Sequence, residues 1–150
     1  MAERWPDLSG RIDGDVHVLA VRVYYEDTDF SGLVYHANYL KFCERGRSDC
    51  LRLLGVHHHE LQNRVGGGLA FVVRHMACDF VNPARIDEVL EVETRFAALT
   101  GARMEIAQMV TRHGETLFQA AVTAVLVDAQ GRPRRVPEPV AEALSRLAPK

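Results

Sequence analysis

The stretch Asn38-Tyr39-Leu40-Lys41-Phe42-Cys43-Glu44-Arg45-Gly46-Arg47-Ser48-Asp49-Cys50-Leu51-Arg52-Leu53-Leu54 decides the fold. Tyr39, Phe42, Cys43, Gly46, Cys50, Leu53 and Leu54 recur at three- and four-residue spacing, the period of one helix face. Lys41, Arg45, Asp49 and Arg52 occupy the opposite stripe. The pattern predicts a helix from Asn38 to Leu54, with Gly55 as its stop signal. Gly46 lies on the apolar stripe, although glycine costs a helix interior roughly 1 kcal/mol against alanine. Close approach of the helix to a sheet is a physical reason to keep it there.

Upstream of this helix, Val18, Ala20 and Val23 mark a strand over His17 to Tyr24. Residues 1–15 are polar, contain Gly10 and Gly14, and read as a loosely docked lead-in. Downstream, four strands are expected: Leu69 to Phe80, Val89 to Ala97, Arg103 to Thr111 and Thr116 to Val127. Turn residues separate them, at Asn82-Pro83, at His113-Gly114 and after Val127 at Asp128-Ala129-Gln130-Gly131. A short helix opened by Pro139 is expected over Pro137 to Leu147. Strands joined by short turns pair antiparallel. A helix with one apolar stripe needs a sheet to cover it, and a curved antiparallel sheet can wrap around it. The fold class is therefore α+β, with residues 16–150 as a single domain. The near-continuous apolar run Ala120 to Val127 suggests a strand buried on both faces. One domain of this kind leaves a sheet face uncovered, so at least a dimer is expected.

With 150 residues, 47% hydrophobic and 25% charged, the chain suits one globular core. The formal net charge of -2 argues against a nucleic-acid partner, which calls for a basic face. Of the three cysteines, Cys43 and Cys50 sit two helical turns apart, roughly 10 Å along the axis. A disulfide requires Cα atoms within about 7 Å, so reduced thiols are expected. Two of the thiols fall on the apolar helix stripe and read as inert core. The first residues lack the apolar stretch of a signal peptide, and no run of ~18 apolar residues occurs. A cytoplasmic protein without an integral membrane segment is the expectation.

The loop between the first strand and the helix, Glu26 to Ala37, concentrates chemistry. It holds Glu26, Asp27 and Asp29, together with Gly32 and the Tyr35-His36 pair. A helix N-terminus presents unpaired backbone N–H groups and partial positive charge, which can hold a developing oxyanion. A carboxylate beside it can attack a carbonyl or activate water. The same acids could instead cap the helix or stay solvated. Spacing alone does not choose among the three.

The run Val21-Arg22-Val23-Tyr24-Tyr25-Glu26-Asp27-Thr28-Asp29-Phe30-Ser31-Gly32-Leu33-Val34-Tyr35-His36-Ala37-Asn38-Tyr39-Leu40 resembles the signature of the 4-hydroxybenzoyl-CoA thioesterase family. Within that family it is most similar to the Tol-Pal system-associated acyl-CoA thioesterase subgroup. The likeness continues through Phe42-Cys43-Glu44-Arg45-Gly46-Arg47 and returns at Ala70-Phe71-Val72-Val73-Arg74 and Pro83-Ala84-Arg85. The resemblance implies a hotdog fold of about five antiparallel strands around one long helix, assembled as dimers or tetramers with active sites between subunits. It implies hydrolysis of acyl-CoA to free acid and CoA, with no metal and no cofactor, coenzyme A being part of the substrate. It places the catalytic carboxylate at Asp29, with Tyr25 and His36 at further active-site positions. The backbone N–H of residue 36 falls where the family polarises the thioester carbonyl. Acyl carrier protein is a further possible partner.

Other features carry less. His57-His58-His59-Glu60 reads as a polar turn after the helix, since a metal site would need further ligands that have no obvious source. Gly66-Gly67-Gly68 precedes a strand and lacks the strand-loop-helix context of a phosphate loop. Arg132, Arg134 and Arg135, with Arg74 and Arg85, are candidates for the CoA phosphates or ordinary solvated cations. No Gly-x-Ser-x-Gly elbow is present, so a serine hydrolase is not indicated. Two other functions compete: a hotdog acyl-CoA dehydratase, and a non-catalytic binder of acyl-CoA or acyl carrier protein. The acid at position 29 speaks for hydrolysis, because a pure binder does not require it.

Overall fold

The computed structural model describes residues 4–57, 61 and 68–147. Six strands form one antiparallel sheet: β1 (Arg11–Asp13), β2 (Val16–Arg22), β3 (Ala70–Phe80), β4 (Val89–Thr100), β5 (Arg103–Arg112) and β6 (Glu115–Val127). Their spatial order is β1-β2-β4-β5-β6-β3. The long helix α1 (His36–Leu53) packs across β2, β4 and β5, and α2 (Glu138–Ser145) follows the last strand. This is the hotdog arrangement.

The lead-in is more ordered than expected. Arg11–Asp13 pairs with β2 through Arg11↔Val18, Ile12↔His17 and Asp13↔Val16, adding a sixth strand. All three of its residues are exposed, so it carries no burial alternation for the sequence to display. Buried His17 ties the lead-in down further, its Nε2 lying 2.7 Å from the Ser9 carbonyl. β4 runs three residues beyond the expected Ala97, through a register shift between Phe96 and Ala98.

Helix α1 lies close to the sheet at Gly46. A Cβ there would come within 2.8 Å of Val92 Cγ1 and 3.2 Å of Thr94 Oγ1, so any side chain would push helix and sheet apart. Overpacking of this kind costs about 1–3 kcal/mol. Close approach also lets the buried Gln108 of β5 donate to the Cys43 carbonyl at 2.8 Å and to Thr94 Oγ1 at 2.9 Å. The apolar stripe of α1 forms one cluster with the inward residues of the sheet and with Val140, Ala143 and Leu144 of α2.

Burial along β6 corrects the expectation of a strand covered on both faces. From Phe118 to Val122 it alternates, with Gln119 and Ala121 exposed. Within Ala120 to Val127, only Ala124, Val125 and Leu126 are buried consecutively. There the chain leading to α2 runs alongside, Arg134 N–H donating to the Leu126 carbonyl at 2.8 Å. The open sheet edge is β3, whose residues are half-buried or exposed along its whole length. Among the described residues, no helix is long and apolar enough to cross a membrane. Cys43, Cys50 and Cys78 are free, and burial pushes the Cys43 and Cys50 thiols up to about 12.

Candidate active site

The loop between β2 and α1 is two turns in series, and they use their carboxylates differently. The first turn is the 3-10 segment Tyr25–Asp27. Asp27 is buried, and its Oδ2 accepts from the Tyr24 N–H at 2.8 Å. Its carbonyl accepts from the Tyr35 N–H at 2.9 Å and from Asn38 Nδ2 at 2.8 Å. Asp27 thus ties the start of the loop to the start of the helix.

The second turn spans residues 29–32. Gly32 takes a φ of 81°, a left-handed conformation that glycine adopts without a Cβ penalty. Its N–H closes the turn on the Asp29 carbonyl at 3.0 Å, while the Asp29 N–H donates to the Leu33 carbonyl at 2.9 Å. Asp29 Oδ1 accepts from the Ser31 N–H at 2.8 Å and from the Ser31 hydroxyl in a short contact. These hydrogen bonds, with a smaller contribution from nearby His36, hold the exposed Asp29 carboxyl below the usual carboxylate range.

Asp29 and His36 line one cavity of about 330 Å³, together with Leu33, Val34, Tyr39, Phe80, Val81, Asn82 and Pro83. His36 is the first residue of α1, preceded by Tyr35 in an extended conformation (φ -62°, ψ 132°). The helix therefore begins two residues earlier than the expected Asn38, ahead of its apolar pattern, which starts at Tyr39. No described residue accepts a hydrogen bond from the His36 N–H, as expected for a first-turn amide. The His36 ring packs against Tyr35 and edge-on to Phe80, with centroids 4.5 and 6.0 Å away. One wall of the cavity thus carries a carboxylate acceptor, and the helix start carries free donors.

The opposite wall is braced from the sheet. The Val34 N–H donates to the Ala84 carbonyl at 2.9 Å, and the Ala84 N–H donates to the Tyr39 hydroxyl at 3.0 Å. Arg112 grips both oxygens of Glu88, at 2.9 and 3.0 Å, and the Pro83 carbonyl at 3.2 Å. Glu88 in turn accepts from the Arg85 N–H. Tyr39 stacks on Phe118 with centroids 5.2 Å apart, and Phe80 meets Phe118 edge-on at 5.0 Å. The sequence marks Tyr39 as a core position and offers no sign that Phe80 and Pro83 face Asp29. Their only signal is the Asn82-Pro83 turn, which ends β3 beside the helix start.

Tyr25 is not brought to this cavity. Its ring is 84% exposed, and its carbonyl serves the turn by accepting from Thr28 Oγ1 at 2.8 Å. Glu26 is exposed as well. Of the arginine candidates, Arg134 and Arg132 ion-pair with Asp128, at 2.9 and 3.4 Å. Arg74, Arg85 and Arg135 are exposed. The described residues contain no group of three His, Cys, Asp or Glu side chains placed to hold a metal. His58, His59, Glu60, Gly66 and Gly67 lie outside the described residues.

Comparison with known proteins agrees with this fold. The acyl-CoA thioester hydrolase YbgC of Escherichia coli O6:H1 is 40% identical over 122 residues, covering 80% of this chain and 89% of that protein. The acyl-CoA thioesterase YbgC of Haemophilus influenzae is 40% identical over 128 residues, covering 85% and 93%. Among solved structures, a probable thioesterase from Bartonella henselae is 46% identical with a TM-score of 0.79, covering 81% of this chain and 99% of that one. Residues 23–144 match the thioesterase-like superfamily, and the chain belongs to that family.

Proposed function

We propose that the protein hydrolyses acyl-CoA thioesters to free acid and CoA at the cavity between Asp29 and the start of α1. The observation that carries this reading is the pairing, in one cavity, of an ionised carboxylate with the unpartnered first-turn amide of His36. The thioester carbonyl lies against that amide, which stabilises charge developing on its oxygen. Asp29 then attacks the carbonyl carbon to give a mixed anhydride, which water hydrolyses to the free acid, or it deprotonates the attacking water; in either route the C–S bond breaks and the CoA thiolate takes up a proton to leave as the thiol. The His36 side chain orients the carboxylate or the water. Tyr25, which lies outside the cavity walls, is given no step in this reaction.

A second copy of the chain is proposed to pair along β3, where Val72, Val73 and Phe80 are 44–52% exposed on an open strand edge. An acyl group carried on acyl carrier protein would present the same thioester. The testing experiment is thiol release over a panel of short, long and aromatic acyl-CoAs. Turnover with release of free CoA supports the reading. Tight binding without turnover would replace it with that of an acyl-CoA binder, and water loss from a 3-hydroxyacyl-CoA without thiol release would replace it with a dehydratase.

A further inference from the structure

A second cavity, of about 470 Å³, opens between α1 and β3. Its walls are apolar and include Leu51, Leu69, Phe71, Phe96, Met104 and Ile106. Glu44, Arg47 and Ser48 line its α1 side, on the same helix face as Leu51. Residues of both α1 and β3 line each of the two cavities. His36 and Phe80 bound the first, and Leu51 and Ala70 bound the second, so α1 and β3 run in opposite senses. Arg47 lies eleven residues beyond His36, roughly 16 Å along the helix axis.

Arg47 is half-buried and held in place from beneath. Gln108 Oε1 accepts from its Nη1 at 2.8 Å, while Gln108 Nε2 is anchored on Cys43 and Thr94. A fully buried glutamine under a helix is an expensive inclusion unless all of its groups are bonded. Here they are, and the arrangement fixes one guanidinium at the cavity wall. A guanidinium carries five N–H donors, and among the described residues Arg47 bonds only Gln108 with its side chain. Glu44, on the same wall, is exposed and forms no ion pair with it. Burial draws the Arg47 pKa down, against smaller opposing contributions from Cys43 and the nearby Glu44.

We propose that this cleft receives the acyl portion of the substrate, and that Arg47 selects acyl groups bearing an oxygen acceptor remote from the thioester. Hydroxyl, oxo and carboxylate substituents share that chemistry. The inference rests on the acyl-CoA hydrolysis reading and adds a specificity-determining residue to it. A plain hydrocarbon chain fills the apolar walls but leaves the guanidinium desolvated and unpaired. An oxygenated chain satisfies both.

The test compares kcat/KM for matched acyl-CoA pairs. Each plain chain is set against the same chain with a terminal hydroxyl and with a terminal carboxylate, over several lengths. Wild type, Arg47→Met and Arg47→Lys are assayed, with thermal melting as the check on folding. Wild type should favour an oxygenated member by about tenfold or more at its best length. In Arg47→Met that ratio should fall toward one, and in Arg47→Lys part of it should survive. If Arg47→Met does not fold, Arg47→Lys carries the comparison. A larger preference for carboxylate than for hydroxyl identifies the ion-paired form of the interaction. A wild-type ratio near one at every length would overturn the proposal, as expected if a second copy fills the cleft. So would equal losses on both members of each pair in Arg47→Met. Those outcomes leave hydrolysis itself intact. Absence of any hydrolysis would instead remove the hydrolase reading, and equilibrium binding of the same pairs would then decide the role of Arg47.

Discussion

Asp27 and Asp29 stand two residues apart in one loop, and their surroundings give them opposite work. Asp27 is buried, and its side chain and carbonyl bind three groups of the loop and helix start: the Tyr24 and Tyr35 amides and Asn38 Nδ2. It does not line the cavity. Asp29 is exposed, its hydrogen bonds to Ser31 all fall on Oδ1, and it borders a cavity. The contrast is one of burial and access. A buried carboxylate that caps the loop stabilises the fold. An exposed one that lines a cavity, with one oxygen free of partners, is available for chemistry.

The largest effect should come from Asp29→Asn. Thiol release should fall at least a thousandfold, about 4 kcal/mol in activation free energy, with the melting temperature nearly unchanged. Near-wild-type turnover by that folded variant would break the contrast at its active end. Asp27→Ala should reverse the pattern. It removes the acceptor for the Tyr24 N–H and should destabilise the protein by about 1–2 kcal/mol, a drop of several degrees in melting temperature. Turnover per folded molecule should change much less than in Asp29→Asn.

Ser31→Ala tests the same contrast through pH. Hydrogen bonds from Ser31 lower the Asp29 pKa, so the ionised, active form persists below the usual carboxylate range. Loss of the hydroxyl, with the Ser31 position's backbone N–H retained, should move the acid limb of kcat/KM upward by less than about one pH unit. An unmoved limb would mean that the limb reports another group. The smallest effect is expected for Tyr25→Phe, since that ring lies outside the cavity walls. A kcat loss of less than about tenfold is predicted, measured at saturating acyl-CoA.

The helix and the four downstream strands were legible because burial imposes a period on their residues. Gly46 was legible for the same reason, as a glycine on an apolar stripe points to close approach, and Val92 and Thr94 supply the surface it approaches. β1 was not legible, because an exposed three-residue edge strand leaves no period to read. The run Ala120 to Val127 misled in part, since Ala121 is apolar in type yet exposed. At the site, residue types alone left Glu26, Asp27 and Asp29 equivalent. What separates Asp27 is a long-range fact, its bonds to Tyr35 and Asn38 across the loop. Phe80, Pro83 and the Arg112–Glu88 brace were hidden for a similar reason, because they meet the loop only through the sheet. The position of Gln108 under Arg47, sixty-one residues away in sequence, could be read only from the folded chain.

The most direct test of the central claim is a side-by-side single-turnover measurement on Asp29→Asn, Asp27→Asn and Glu26→Gln, each saturated with the same acyl-CoA. The account predicts that all three bind the thioester and that only Asp29→Asn fails to release CoA at a measurable rate. A comparable loss in Glu26→Gln or in folded Asp27→Asn, or rapid release by Asp29→Asn, would contradict it.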